Sequence, residues 1–328
     1  MAPVYSIKDL GTLPGVAGSA GYAINSSGEV AGSSSEAFLW SAVGGMLKLG
    51  ALPGGAGSVA QGVNRWGHVV GSAAVPNGNT HAFLWSIGAG MQDLGLLPAT
   101  VSSEAFGVNR IGEVVGEASN PNQYAHPFLW SRTAGIQDLG TLPGGQVARA
   151  TAINNSSHVV GYSNFNNQLQ PLPTYHAFLW NRHGAMEDLG TLPGNDNSLA
   201  YGLNHHCHVV GESVHSGQQN NHPFLWTRGH GMRDLGTLAG GSVASATGIN
   251  RRDVVVGTSN FANSGAATHA FVWTHQSGMQ DLNSLIPPQS GWVLTKATAI
   301  NRCGQITGYG TIAGQTHAFL LTPTVPIC

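Results

Sequence analysis

The chain has 328 residues, a formal net charge of −2 and only 9% charged residues. It has no basic stripe, which argues against a nucleic-acid partner, and no apolar run approaches the ~20 residues of a membrane-spanning helix. Its 47 glycines, with abundant Val, Thr, Ser and Asn, are typical of an all-β protein with many turns.

The first predicted element is one short strand over residues 4–11 (VYSIKDLG). The residues before it have neither the charged nor the apolar segment of a signal peptide, so none is expected within this sequence, and whether one was removed stays open. The three cysteines, Cys207, Cys303 and Cys328, are too few for a disulfide framework, and their odd number leaves at least one free thiol. Whether Cys303 and Cys328 pair stays open.

After this strand, one unit of about 45–50 residues recurs seven times. Its clearest word, His-Ala-Phe-Leu-Trp, stands at 81–85 and returns with small changes at 126–130, 176–180, 222–226 and 269–273. Weaker copies start at Glu36 and His317. Units of this period cannot bury their apolar faces alone and must stack on their neighbours.

The second unit, residues 57–97, contains four short strand patterns, which we name A to D in chain order. Strand A ends in the turn Asn-Arg-Trp-Gly, strand B is the β-branched stretch 68–73, strand C is the His-Ala-Phe-Leu-Trp word, and strand D is 91–94. Four strands per unit are typical of a propeller blade. The sequence therefore predicts an all-β, seven-bladed β-propeller of four-stranded antiparallel blades, as one domain over residues 1–328.

The two chain ends predict how the ring closes. The last unit ends after a C strand at 317–322, whereas the chain begins with a lone D strand. The N-terminal strand should therefore complete the seventh blade and leave no open edge. Strand D is then outermost, and strand A lines the axis.

The predicted A strands carry small residues at two fixed places, four and two residues before the turn Asn, as expected where seven strands crowd an axis. These pairs are Gly21/Ala23, Ala60/Gly62, Ala105/Gly107, Ala150/Ala152, Ala200/Gly202, Ala246/Gly248 and Ala297/Ala299. The residue just before the Asn is always aliphatic and should pack against the next blade.

The recurring His lies twelve residues before a recurring Asp in five units, and across the ring closure His317 corresponds to Asp9; each His is expected to pair with its Asp between strands C and D. In the first unit both change together, to Glu36 and Lys48, which preserves opposite charge. The six His–Asp pairs lie far apart on separate blades, so they are interpreted as structural pairs rather than as metal ligands. The recurring Trp is expected in the core between blades, and the recurring Asn in a tight turn.

These words, together with Gly-Ile-Asn, Val-Val-Gly and Asp-Leu-Gly-Thr-Leu-Pro-Gly-Gly, resemble the HAF-repeat family, described as probable extracellular repeats of bacteria. The resemblance covers nearly the whole chain. It implies a bacterial repeat protein, often secreted or on the cell surface, located outside the cell or in the periplasm. It implies no shared catalytic residues.

The units differ most in the loops between strands B and C, which are short at 33–35 and longest at 162–175. Insertions gathered on one face mark the expected binding face, which we call the loop-rich face; protein partners could also bind there. The opposite, uniform face carries the A–B turns, the C–D bends and scattered arginines. These are Arg65, Arg110, Arg132, Arg182, Arg228, Arg251 and Arg302.

A second difference lies at the loop-rich end of strands A and B. If the turn Asn and the residue three positions later flank the A–B turn, the register of the two strands is fixed. Glu104 then faces Glu117, Arg149 faces Tyr162, Lys296 faces Tyr309 and Leu199 faces Glu212. The other three units place Ala20/Ser33, Val59/Ser72 and Ser245/Thr258 there. We therefore predict one polar site near the axis.

Two opposed Glu side chains, with Cβ atoms ~5 Å apart, should raise the pKa of one carboxyl group. Such a pair suits general acid–base catalysis, and its spacing matches that of retaining glycosidases. A Tyr beside Arg or Lys could be a base with a lowered pKa. Glu104, Glu117, Arg149, Tyr162, Lys296 and Tyr309 are thus the catalytic candidates. The alternative is a solvated rim in which Glu104 or Glu117 is paired with Arg149.

Further candidate ligand contacts are Glu212, Tyr175, Tyr201 and Trp292. Trp292 falls in the last D–A loop, where it could stack on a sugar or a peptide or only pack on the surface. The run His205-His206-Cys207-His208 contains metal-type ligands, but it falls in a turn, where the side chains converge poorly. No nucleophile motif, phosphate loop or dinucleotide fingerprint is present, and no cofactor or metal is expected.

The first hypothesis is a propeller whose loop-rich face binds a carbohydrate or another small polar ligand. The second is an enzyme, of glycosidase or lyase type, that uses the same axial residues. The third is a scaffold for protein partners. The fold alone cannot choose among them, because propellers serve all three purposes.

Overall fold

The computed structural model describes residues 4–122, 124–165, 174–182, 184, 186–217 and 220–325. The described residues form seven antiparallel sheets of four strands each, and this is the predicted seven-bladed β-propeller. Only one short helical turn is present in the described residues, a 3-10 helix at Leu282–Ser284. No helix among them has the length and apolarity that crossing a membrane requires.

The strands are numbered in chain order, with four in each blade. Blade one contains β2 (Ala20–Ile24), β3 (Val30–Ser34), β4 (Glu36–Ser41) and β5 (Gly45–Lys48); blade two contains β6 (Ser58–Val63), β7 (Val69–Ala74), β8 (Thr80–Ser86) and β9 (Gly90–Asp93). Blade three contains β10 (Ser102–Val108), β11 (Val114–Ser119), β12 (Ala125–Ser131) and β13 (Gly135–Asp138); blade four contains β14 (Ala148–Ile153), β15 (Val159–Asn164), β16 (Tyr175–Trp180) and β17 (Glu187–Asp188). Blade five contains β18 (Asn197–Leu203), β19 (Val209–Val214), β20 (Asn221–Thr227) and β21 (Gly231–Asp234); blade six contains β22 (Ala244–Ile249), β23 (Val255–Asn260), β24 (Thr268–Thr274) and β25 (Gly278–Asp281). Blade seven contains β26 (Trp292–Ile300), β27 (Ile306–Ile312), β28 (Gln315–Pro323) and, from the N-terminus, β1 (Tyr5–Asp9).

The ring closes as predicted. Strand β1 pairs antiparallel with β28, with Tyr5 opposite Pro323 and Asp9 opposite Phe319. The N-terminal strand therefore takes the outermost place in blade seven, and the edge of β28 is covered by backbone pairing.

The inner strands of neighbouring blades contact one another around the axis. A Cβ atom added to Gly62 would lie 2.9 Å from the carbonyl oxygen of Phe106 in the next inner strand. Close approach of the two backbones explains why only small residues occur two positions before the turn Asn.

Seven apolar clusters fill the spaces between successive blades. Each contains the Phe of a His-Ala-Phe-Leu-Trp word, fully buried, and the aliphatic residue before a turn Asn. Five of the six recurring Trp residues are also buried, and Trp180 is partly buried. The core therefore lies between the blades, as predicted for these repeated words.

All six predicted His–Asp pairs form, with Nδ1 of His 2.6–2.9 Å from a carboxylate oxygen. In blade one, Nζ of Lys48 lies 2.7 Å from Oε1 of Glu36, so the double change does preserve a contact. In each His–Asp pair the Asp also accepts a backbone N–H from two residues later, as Asp93 does from Gly95 at 2.8 Å. The pairs thus fix the outer strands to the loops that lead to the next blade.

The recurring turn Asn has a role that the sequence did not reveal. Its Oδ1 atom accepts two backbone N–H groups within the A–B turn, as Asn109 does from Ile111 and Glu113. Its Nδ2 donates to the backbone carbonyl of the corresponding Asn in the next blade, at 2.9–3.4 Å in all seven blades. Seven buried amides therefore form a closed ring of hydrogen bonds around the axis, which ties every blade to its neighbours.

The predicted cross-strand pairs of strands A and B are all observed, but the assumption behind them was wrong. The turn is one residue longer, because the N–H of Asn109 donates to the carbonyl of Glu113. A β-bulge at Phe106 then compensates, and Glu104 again stands opposite Glu117. The same bulge recurs in all seven blades. The pairing was predicted correctly because two one-residue errors cancelled.

Candidate functional site

A cavity of ≈ 460 Å³ lies at the loop-rich ends of blades three and four. Five predicted site residues line it: Glu104 and Glu117 from blade three, and Arg149, Tyr162 and Tyr175 from blade four. Thr80, Ser102 and Ser119 also line the cavity, as does Ser103, whose Oγ is already hydrogen-bonded to the backbone of Ala82 and Gly95. The sequence analysis missed these residues because Ser and Thr are common throughout the chain.

The charged centre of the cavity is a paired Arg149 and Glu117. Nε of Arg149 donates to Oε2 of Glu117 at 2.7 Å, and its Nη2 donates to the other carboxylate oxygen. The guanidinium carbon also lies 4.7 Å from the centre of the Phe106 ring, in a cation–π arrangement. Burial lowers the pKa of Arg149, but the hydrogen bonds and the charge of Glu117 outweigh it, so the net pKa is raised. Arg149 therefore stays protonated and cannot act as a base.

Glu104 faces this pair from the neighbouring strand. Burial raises its pKa, the negative charge of Glu117 raises it further, and the charge of Arg149 opposes both effects only in part. A Cβ atom added to Gly116, which lies opposite Ala105, would be 1.9 Å from the carbonyl oxygen of Glu104. The Gly of the Val-Val-Gly word is therefore required for this close approach. The two carboxyl groups thus differ in environment: Glu117 is paired with Arg149, whereas burial and the charge of Glu117 raise the pKa of Glu104.

Two tyrosines form the aromatic wall of the cavity. The rings of Tyr162 and Tyr175 meet edge to face, with their centres 5.5 Å apart. Burial raises the pKa of both hydroxyls, and the positive charge of Arg149 offsets this only in part for Tyr162. Burial also raises the pKa of Tyr309. The expectation of a tyrosine base with a lowered pKa is therefore wrong, because burial outweighs the neighbouring cation.

The cavity adjoins the central channel, a space of ≈ 600 Å³, since Arg149 and Tyr162 line both. Lys296 and Tyr201 line the channel as well. So do the bulged residues of the inner strands, of which the sequence analysis singled out only Tyr201. They are Tyr22, Gln61, Phe106, Thr151, Tyr201, Thr247 and Thr298. A signal for them existed, because the position between the two small residues is the variable one.

Glu212 joins this group through Tyr201, whose hydroxyl donates to Oε1 of Glu212 at 2.9 Å. Burial, and then the charge of Glu212, raise the pKa of Tyr201. Tyr309 stands opposite Lys296 as predicted. Among the described residues that line the cavity and the channel, however, neither Tyr309 nor Glu212 is present. The predicted layer therefore divides into a cavity, a channel wall and flanking residues.

Trp292 was predicted in a loop, but it begins strand β26 and is 9% exposed within the core of blade seven. Its ring meets that of Phe319 edge to face, with centres 6.1 Å apart. The prediction failed because this inner strand starts earlier than those of the other blades.

Part of the longest B–C loop, residues 166–173 with Leu169, Pro171, Leu172 and Pro173, lies outside the described residues, as does Cys328.

The run from His205 to His208 forms an A–B turn in which Cys207 has a φ of +61° and a free thiol. Nδ1 of His208 pairs with Asp253 of the next blade at 2.8 Å. Within the described part of the chain, no three His, Cys, Asp or Glu side chains are grouped so that they could hold a metal ion.

Comparison with known proteins shows the fold alone. No protein-family model matches the chain, and no curated protein matches it. The structure of an oligogalacturonate lyase in complex with manganese aligns with a TM-score of 0.61 and 10% identity, over 97% of this chain and 93% of the lyase. The extracellular domain of BT4673 from B. thetaiotaomicron aligns with a TM-score of 0.52 and 10% identity, over 95% of this chain and 39% of that one.

Proposed function

We propose that the protein binds a carbohydrate in the cavity formed by Glu104, Glu117, Arg149, Tyr162 and Tyr175. The observation that carries this proposal is the combination of a fixed Arg–Glu pair, a second carboxyl group and two aromatic rings in one cavity of ≈ 460 Å³. Concave sites that combine apolar walls with a few convergent polar groups are typical of small-ligand sites.

The residue types favour a neutral sugar. The carboxyl groups and the Ser and Thr hydroxyls accept hydrogen bonds from sugar hydroxyls, and the tyrosine rings offer faces for the C–H side of a sugar ring. Two carboxyl groups beside a single cation leave no excess positive charge in the cavity, so an acidic sugar is disfavoured. Because the fold is similar to that of an oligogalacturonate lyase, acidic oligosaccharides are the ligands against which the binding of neutral ones is compared.

The proposal is tested by isothermal titration calorimetry against neutral and acidic oligosaccharides. We expect a neutral oligosaccharide to bind, and binding to weaken at least tenfold in Tyr162→Ala and Glu104→Gln. Glu187→Gln is the matched control, because Glu187 pairs with Arg228 at 2.7 Å, away from the cavity. Absence of binding across the panel, or equal losses in Glu104→Gln and Glu187→Gln, would refute the proposal.

A glycosidase is the second candidate, favoured by the unequal carboxyl groups. Glu104, with its raised pKa, suits the role of general acid, and Glu117, hydrogen-bonded by Arg149, suits the role of nucleophile or stabilising anion. A lyase mechanism has less support, since no tyrosine in the site has a lowered pKa. Hydrolysis of nitrophenyl glycosides tests this candidate: turnover should vanish in Glu104→Gln while sugar binding stays measurable. Binding without turnover in the unmodified protein would exclude catalysis on these substrates.

A further inference from the structure

The A–B turns enclose a second concavity, a basin of ≈ 670 Å³ at the axis on the uniform face. Its wall is formed by the residue that follows the turn Asn in each blade. In blade order these residues are Ser26, Arg65, Arg110, Asn155, His205, Arg251 and Arg302. Four of the chain's 13 Lys and Arg residues therefore gather around one opening, in a chain whose net charge is −2. In the sequence these arginines appeared scattered.

The charge of the basin is not neutralised from within. No Asp or Glu is present among the described residues that line it. Two other arginines of the same face, Arg182 and Arg228, are paired with Glu113 and Glu187. By contrast, the ion pairs found among the described residues include none of the four basin arginines. The four basin arginines thus have no carboxylate partner among the ion pairs of the described residues.

The backbone that carries these arginines is fixed before any ligand arrives. The ring of turn Asn residues, five of which line the basin, ties each turn to the next. The guanidinium of Arg65 lies over the Trp66 ring at 4.4 Å, and the Trp66 indole N–H donates to the carbonyl of Arg110 at 3.1 Å. The N–H of Arg110 in turn donates to the side chain of Asn155 at 2.9 Å. A preorganised site of this kind loses less entropy on binding.

We propose that this basin binds a compact polyanion that carries several phosphate or carboxylate groups. Guanidinium groups donate two parallel hydrogen bonds to such groups, which favours Arg over a diffuse positive charge. The arginines come from blades two, three, six and seven, so they flank blade one on both sides and can contact separate anionic groups of one molecule. This site is independent of the proposed sugar cavity, which lies on the opposite face.

The probes are inositol hexakisphosphate for phosphate and citrate for carboxylate, titrated calorimetrically into the full chain at low salt. We expect one equivalent of at least one probe to bind, with affinity falling as salt is added. The double variant Arg110→Gln/Arg251→Gln should bind at least tenfold more weakly. A matched control, Arg132→Gln/Arg228→Gln, removes the same charge from the same face outside the basin and should bind as the unmodified protein does. The melting temperature of each variant verifies folding.

Three results would overturn the proposal. One is that neither probe binds at millimolar concentration. Another is equal weakening in the basin variant and its control, which would indicate attraction by overall charge alone. The third is tighter binding of a single-stranded oligonucleotide than of either probe, which would assign the basin to nucleic acid instead.

Discussion

Glu117→Gln and Glu104→Gln should change the free energy of unfolding in opposite directions. Glu117 holds Arg149 through two hydrogen bonds, and the two side chains are 15% and 35% exposed. A hydrogen bond to a charged group contributes about 1.5–3 kcal/mol, and partial exposure reduces this, so Glu117→Gln should destabilise the fold by about 1–2 kcal/mol. The opposition of two carboxyl groups alone would instead predict stabilisation by this change, but the observed pair with Arg149 reverses the sign.

Glu104, in contrast to Glu117, lowers the stability of the fold at neutral pH. Its folded pKa lies above the ordinary value of 4.5, so the folded state binds more protons than the unfolded state between these two values. Stability should therefore fall as pH rises from about 4.5 through the folded pKa, and then stay level. Because like charges directly opposite each other cost up to about 1 kcal/mol, Glu104→Gln should stabilise the fold by a few tenths to ~1 kcal/mol at pH 7 and remove this pH dependence.

Differential scanning calorimetry, supported by urea denaturation, measures both effects. For a chain of this length, 1 kcal/mol corresponds to a change in Tm of about 1.5 °C. Glu117→Gln should therefore lower Tm by about 1.5–3 °C, Glu104→Gln should raise it slightly, and Glu187→Gln should leave it within about 1 °C. Equal destabilisation by Glu104→Gln and Glu117→Gln would refute the assignment of Arg149 to Glu117.

The remaining predictions concern the frame of the propeller. Deleting residues 1–10 should abolish cooperative unfolding, because blade seven loses its outer strand; an unchanged thermal transition would contradict the closure. His176→Ala should destabilise by about 1–3 kcal/mol, since Asp188 loses its partner at 2.8 Å, yet leave sugar binding intact; lost binding with an unchanged Tm would contradict a structural role. Asn109→Ala should destabilise by about 2 kcal/mol, because the N–H groups of Ile111 and Glu113 and the carbonyl of Asn154 lose their partner; a loss below roughly 0.5 kcal/mol, the size of a typical surface substitution, would contradict the ring.

The repeats made the fold predictable, because each constraint is stated seven times. Joint replacement of His and Asp by Glu36 and Lys48 indicated a contact that one unit alone could not reveal. The bulge at Phe106 was not predictable, since no residue pattern states directly where a strand carries an extra residue. The ring of turn Asn residues was missed for a similar reason: Asn is common in isolated tight turns, and its contact with the next blade depends on the closed ring.

The candidate site was predictable in position and less so in chemistry. Charged residues are rare in this chain, so their concentration in one layer correctly brought Glu104, Glu117 and Arg149 together. The burial of the tyrosine side chains could not be inferred from their position along the strands. This burial raises the pKa of Tyr162, which the neighbouring Arg149 was expected to lower. Trp292 was misplaced because its strand starts early. The arginine basin was not predicted, because its arginines were grouped only with the others of the uniform face. Their shared position directly after the turn Asn would have placed them together around the axis.

A crystal structure of the protein with the tightest-binding neutral oligosaccharide tests the central claim most directly. The account predicts one sugar in the cavity between blades three and four, with a ring against Tyr162 or Tyr175 and hydroxyl groups within hydrogen-bond distance of Glu104, Glu117 or Arg149. Sugar bound elsewhere, with this cavity empty and the Arg149–Glu117 pair untouched, would contradict it.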